Sequence, residues 1–212
     1  MKLIRFVFNP IGVNTYIVYD PDTLECAIVD PGMLTDDELE TFRRVVRERR
    51  LHPAHIVNTH LHLDHSFGDM AVAEEYSLPI KAHKADEFLG RSLTAQARSF
   101  GMNLDLKPVE ISAYLTEGDE LHIGSGVLKV IEVPGHTPGG IALYDEADGF
   151  VLTGDSLFQG SIGRTDLPGG NMADLLKALR AKILTLPPKT VVYPGHGEPT
   201  TIAAELRSNP YF

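Results

Sequence analysis

Four β-rich runs of this 212-residue chain end alike, in a turn residue closely followed by a histidine or an aspartate. HIVNTH stops at His60, VIEVPGH at His136, FVLTGD at Asp155 and VVYPGH at His196. Glycine ahead of such a residue permits a sharp turn and a close backbone approach, which projects the next side chain off the strand end. The chain must therefore adopt a fold in which four separate strands deliver these side chains into one shared space.

The first of the four continues as NTHLHLDHSFGD, with His60, His62, Asp64 and His65 close together. Crowded imidazoles repel one another once protonated, so a compensating partner is required, and a metal ion is the obvious one. In an extended loop side chains alternate with period two, which aims His60, His62 and Asp64 one way and Leu61 and Leu63 into the core. His65 joins them where the chain turns into a helix expected from about Phe67.

Seven candidate donors result: His60, His62, Asp64, His65, His136, Asp155 and His196. A structural zinc site takes four protein ligands and a catalytic one three plus water, so seven fit two ions with one carboxylate shared. Imidazole and carboxylate without thiolate suit two divalent ions, zinc first, with iron or manganese as alternatives. Two ions about 3.5–4 Å apart can hold one hydroxide between them, because coordination lowers the pKa of water from about 15.7 towards 7. His52, His55, His83 and His122 lack such a setting and read as structural or surface residues.

The remaining pattern places this cluster among sheets. LIRFVF (3–8), TYIVYD (15–20) and CAIVD (26–30) read as an antiparallel meander. A helix is expected from Asp36 to about Arg50, with Thr35 and Glu38 forming a capping box, before strand HIVNT (55–59). Helices are expected over 67–76 and 85–101 around strand LPIKAH (78–83). From about Asp119 a second half repeats the order: strands ELHIG, VLKVIEV, GIALYD and GFVLTGD, a helix over 172–184, strand TVVYP and a short helix near 202–207. Strands in series followed by helices suit sheets covered on their outer faces, in one domain spanning 1–212. The amphipathic stretch 93–105 reads as a packed helix, with a pocket border or partner contact as the alternative.

Composition narrows the function. The 29 acidic against 19 basic side chains give a net charge of −10, which argues against nucleic acid or an anionic membrane as partner. The basic run Arg43–Arg50 has helical spacing around Val45 and Val46 and reads as a solvated helix face. One cysteine, Cys26, excludes an internal disulfide, and MKLIRFVFNP is too short and too soon broken for a secretory signal, so a cytoplasmic enzyme is expected.

THLHLDH, PGHTPG, TGDSLF and PGHG, in this order and spacing, resemble the metallo-β-lactamase superfamily over essentially the whole chain. That resemblance implies a four-layer αββα sandwich, an α/β (α+β) fold of two mixed sheets with outer helices. It implies that His60, His62 and His136 hold one metal, that Asp64, His65 and His196 hold the second, and that Asp155 bridges them. Asp64 would also orient the bridging hydroxide, the implied nucleophile.

The segment GDSLFQGSIGRTDLPGG and the ending PGHGEPTTIAAELRSNPYF are similar to short bacterial glyoxalase II-like hydrolases. These resemble hydroxyacylglutathione hydrolase without its C-terminal helical domain, and the implied substrate is a small-molecule glutathione-type thioester. Glu198 stands where the larger enzymes carry a tyrosine, and Arg164 where they carry a lysine. Arg164 is thereby a candidate for gripping a substrate carboxylate, or a salt-bridge partner of Asp166. The same resemblance admits a mononuclear iron persulfide dioxygenase built on His60, His136 and Asp155, or a lactonase, β-lactamase or other metallo-hydrolase. A non-catalytic metal-stabilised binding module is the alternative from another class, and it would require a closed coordination sphere.

Overall fold

A computed structural model describes all residues from Met1 to Phe212. The first sheet contains β1 (Lys2–Phe8), β2 (Val13–Tyr19), β3 (Glu25–Val29), β4 (His52–Val57), β5 (Ile80–Ala82) and β6 (Ala113–Tyr114), in that order. The second contains β7 (Glu120–Ile123), β8 (Gly126–Glu132), β9 (Ile141–Asp145), β10 (Phe150–Gly154), β13 (Val191–Pro194) and β14 (Thr200–Thr201), with β7 and β14 at its edges. β11 (Leu157–Phe158) and β12 (Ser161–Ile162) form a separate ribbon between β10 and β13 in the chain. Helices α1 (Asp36–Arg49), α2 (Leu63–Ser66), α3 (Asp69–Tyr76), α4 (Glu87–Gly90) and α5 (Leu93–Ser99) belong to the first half, and α6 (Met172–Ala178) and α7 (Ile202–Ser208) to the second.

Period-two alternation divides the apolar residues among three cores. Tyr16 and Val18 of β2, Ala27 and Val29 of β3, Ile141 and Leu143 of β9, and Phe150 and Leu152 of β10 pack between the sheets. Ile17 and Ile28 turn the opposite way, to pack with Phe42 and Val46 of α1. Ala142 and Val151 likewise meet Leu175 of α6 and Ile202 of α7. Both faces of the inner strands are thus covered, which explains why these runs are continuously apolar. The result is the expected αββα sandwich.

Each half begins as a meander followed by a crossover, and in the first half two further parallel strands, β5 and β6, extend the sheet beyond β4. β1, β2 and β3 pair antiparallel, after which α1 returns the chain to β4, parallel to β3. β7 to β10 are antiparallel, and after α6 the chain returns as β13, parallel to β10. The two returning strands end just before His60 and His196, and bonds between the sheets hold those ends together. Tyr16 Oη donates to Pro194 O at 2.6 Å, Asn14 N to Gly195 O at 2.7 Å and Ile141 N to Thr59 O at 2.8 Å.

The capping box of α1 is present, and its arginines face water, with Arg43 bonded to Glu75 at 2.7 Å. Cys26 is buried in β3, and burial pushes its thiol up to about 12. No helix is long and apolar enough to cross a membrane.

Two helical expectations need correction, and one short helix was not expected. The helix expected over 85–101 is a 3₁₀ turn (Lys84–Asp86) followed by α4 and α5. The Gly90 carbonyl accepts from Val109 N at 2.9 Å and Ser92 Oγ donates to Leu89 O at 3.1 Å, so groups that a continuous helix needs are used elsewhere. The helix expected over 67–76 is α3, Asp69–Tyr76, and a separate turn that was not expected, α2, precedes it from Leu63, with His62 the last extended residue. Beyond Ala178 the expected 172–184 helix widens into a π turn over Leu179–Ile183.

Candidate metal centre

All seven predicted donors converge on one edge of the sandwich. Ligand atoms of His60, His62 and His136 lie within 4.8 Å of one another, as do those of Asp64, His65 and His196, and those of His60, His65 and Asp155. Asp155 faces both triplets. Its Oδ1 is 3.3 Å from His65 Nε2, and its Oδ2 is 3.7 Å from His136 Nε2 and 3.6 Å from His196 Nε2. Leu61 and Leu63 are buried on the core side, but only His60 and His62 owe their placement to an extended backbone. Asp64 and His65 are carried inward by the first turn of α2.

The glycines ahead of the donors act as expected. Gly135 has φ +134°, and a side chain there would strike the backbone of Leu175 in α6. A side chain at Gly195 would run into the Asp155 carboxylate and the His65 ring. The His196 loop can therefore close over the site only with glycine at that point.

Hydrogen bonds around the rings determine which nitrogen faces inward. Nδ1 of His65 donates to Asp30 Oδ2 at 3.0 Å, Nδ1 of His136 to Arg164 O at 2.7 Å, and Nδ1 of His196 to Gly12 O at 3.1 Å. Thr59 Oγ1 gives its hydrogen to Asp30 Oδ2 at 2.7 Å and is left to accept from His60 Nδ1 at 3.2 Å. Four Nε2 atoms consequently face the centre, joined by Nδ1 of His62, which lies 2.9 Å from His136 Nε2. His60 Nε2 and Asp155 Oδ1 are buried without a hydrogen-bond partner, and Nε2 of His65 lies only 3.3 Å from Nε2 of His196. Orphaned acceptors and facing lone pairs call for positive charge between them, so this donor set fits divalent cations.

The electrostatics agree. Burial and the neighbouring imidazoles push His60 far down and His62 down to about 3, which keeps both rings neutral. Burial alone would lower His65 too, but the carboxylates of Asp155, Asp64 and Asp30 hold it well above the ordinary imidazole range. Asp64 and Asp155 stay below the usual carboxylate range because the imidazoles outweigh burial. Without metal, a proton on His65 supplies the charge that the carboxylates demand, and protons and cations compete for the same lone pairs.

Several supporting residues escaped the sequence reading. Asp30 accepts from Thr59 N and Thr59 Oγ1, each at 2.7 Å, as well as from His65. It ends a β-rich run at a turn, as the donors do, but precedes Pro31-Gly32 where the donors follow their turn residue. Buried Asp86 accepts from Thr137 Oγ1 at 2.8 Å and Gly139 N at 2.7 Å, clamping the His136 loop, and nothing in its local sequence announces that. Gln96 accepts from Leu63 N at 3.0 Å and donates to Leu61 O at 3.4 Å and Leu89 O at 2.9 Å. This side chain buckles the metal loop to α4 and α5. Gln96→Ala leaves Leu63 N unpaired and is expected to lower the unfolding free energy by about 2 kcal/mol, read from the urea midpoint.

Arg164 lies on the rim, paired with Asp166 through two bonds of 2.7 Å. Glu198 pairs with Arg5 at 3.0 Å. Of the four histidines read as structural, His83 caps the 3₁₀ turn at 3.2 Å and His55 bonds to His122 O at 2.8 Å. His122 lies beside Glu120 on the surface, and His52 is exposed at the start of β4. The stretch 93–105 does both things considered for it: Leu93 and Ala97 pack in the core, while Gln96, Phe100 and Met102 border the cavities at the metal centre.

An αββα sandwich with two donor triplets and a shared aspartate at one edge defines a metal-dependent hydrolase class. The profile described as Metallo-beta-lactamase superfamily matches residues 8–196, and the chain belongs to that superfamily. It is 37% identical to the probable metallo-hydrolase YqgX of Bacillus subtilis, over 100% of this chain and 97% of that one. It is 35% identical to the hydroxyacylglutathione hydrolase GloC of Haemophilus influenzae, over 93% and 92%. Among solved structures, the BLEG-1 B3 metallo-beta-lactamase superposes with a TM-score of 0.89 at 35% identity, covering 99% of both chains. TTHA1623 in a di-iron-bound form gives 0.87 at 35%, covering 99% of this chain and 100% of that one.

Proposed function

We propose that this metallo-hydrolase cleaves thioesters of the glutathione type, in the manner of glyoxalase II-like enzymes, with two divalent ions. One observation carries the choice of leaving group. In the cleft lined by Ile11, Asp64, Phe100, Met102, Asp155 and Arg164, among others, the only carboxyls are Asp64 and Asp155. Both are held below the usual carboxylate range, so neither carries a proton for a departing amine or alkoxide. A thiolate, with a conjugate acid near pKa 8.5, departs without that help. The relationship to GloC supports the same reading.

His60, His62 and His136 would hold one ion and Asp64, His65 and His196 the other, with Asp155 placed to serve both. Bound there, the ions, zinc by first assignment, supply Lewis-acid polarisation and ionise water near neutral pH. Asp64 accepts a hydrogen bond from the attacking water and orients it toward the carbonyl carbon. The C–O bond forms, the C–S bond breaks, and the products are a carboxylate and a thiol. Asp30 keeps the His65 ring turned inward throughout. Arg164, exchanging Asp166 for a substrate carboxylate, anchors the thiol carrier.

The single-iron alternative uses His60, His136 and Asp155 and leaves the second triplet without a task, although its atoms are as closely grouped as those of the first. The test is thiol release from S-D-lactoylglutathione by the metal-loaded protein, beside oxygen uptake with glutathione persulfide and opening of a lactone and a β-lactam. Thiol release at least tenfold above the other rates is expected. Oxygen uptake or ring opening without thiol release would refute the proposal.

A further inference from the structure

Past His62 the metal cleft continues into a second cavity of about 230 Å³, which shares His62, Phe100 and Leu167 with it. No charged side chain lines this arm. Beyond His62 its three polar side chains are already engaged with backbone: Ser92 Oγ donates to Leu89 O at 3.1 Å, Ser99 Oγ to Gln96 O at 2.7 Å, and the Gln96 amide bonds to Leu61, Leu63 and Leu89. The rest of the wall is Phe88, Leu89, Ala95, Phe100, Leu167 and Pro168. Phe88 and Phe100 remain 46% and 45% exposed, and Ile11 on the metal side of the cleft 39%, so large apolar surface stays uncovered around the centre. Apart from the His62 ring at its mouth, such an arm offers an incoming group chiefly apolar contact.

We infer that this arm is a specificity pocket for an uncharged, apolar substituent on one side of the scissile thioester. The inference rests on the thioester reading above and deepens it. The carrier's charged part is left to the open cleft at Arg164, which lines the metal cleft but not the arm. Continuity through His62 makes the substrate itself the occupant, because a chain attached at the reacting carbon or sulfur passes that ring to enter the arm.

Two ladders of substrates test the pocket and identify the side. N-acetylcysteamine thioesters from acetyl to octanoyl lengthen the acyl group, and S-alkyl thioacetates lengthen the thiol. In one ladder kcat/KM is expected to rise about threefold to fourfold per added methylene until the arm is full. Exposed Ala95 can be enlarged without entering the core, and Ala95→Trp is expected to bring the ratio of longest to shortest chain towards one.

Calorimetric binding of S-alkyl N-acetylcysteamine thioethers, which are not turned over, separates this inference from the hydrolytic reading. Affinity climbing with chain length supports the pocket even if no thioester is cleaved, an outcome that would refute only the reading above. Turnover with flat ladders and flat affinities would overturn the pocket alone. Flat ladders with a dimer that Phe100→Asp dissociates would overturn it too, assigning the face to a second copy of the chain.

Discussion

Asp155→Ala is expected to reduce bound metal below two ions per chain and kcat/KM by about 10³-fold or more, the several kcal/mol that metal activation contributes. The reason is position. Asp155 lies within 4 Å of nitrogens from both triplets, His136 on one side and His65 and His196 on the other. Without its charge, five imidazoles face one another with Asp64 as the sole carboxylate among the donors. Asp155→Asn retains the shape and loses the charge, so it is expected to share most of the defect. Equilibrium dialysis followed by elemental analysis measures the metal, and thiol release measures the rate. Two retained ions with a rate within tenfold of the unaltered chain would contradict the role given to Asp155.

The second large effect is expected at Asp30, which touches no reacting atom. Its carboxylate is buried and accepts three bonds, from Thr59 N, Thr59 Oγ1 and His65 Nδ1, at 2.7, 2.7 and 3.0 Å. In Asp30→Asn the amide replaces an acceptor by a donor, so a buried N–H on Thr59 or His65 loses its partner. The metal-free protein is expected to lose about 3 kcal/mol of stability. Metal affinity is expected to fall about 10- to 100-fold, as for other outer hydrogen bonds to a metal histidine. A purely structural residue would weaken both ions alike. Asp30 is expected to weaken the ion held by Asp64, His65 and His196 more than the other, resolved as two phases in a metal titration.

How much was legible in the chain follows from the range of the interactions concerned. The donors announced themselves because each stands at the end of a strand next to a turn, where local pattern and function coincide. The sandwich was readable for the same reason, since the largely apolar runs of β2, β9 and β10, buried on both faces, are a local property. The break at Arg91-Ser92 was not readable, because it depends on a carbonyl captured by Val109, many residues later. The start of α2 at Leu63 was hidden by the extended pattern of HLHLDH, which the packing of the metal loop overrides. Asp86 and Gln96 act on loops 35 or more residues away at their farthest, and no spacing rule reaches that far. Asp30 lay within reach, because CAIVDPG also ends a strand with a carboxylate beside a Pro-Gly turn.

The central claim is that both donor triplets bind, and counting metal tests it most directly. Protein stripped with chelator, loaded with excess zinc and passed through a desalting column should retain two ions per chain by elemental analysis. Retention of one ion or none at saturation would contradict the account.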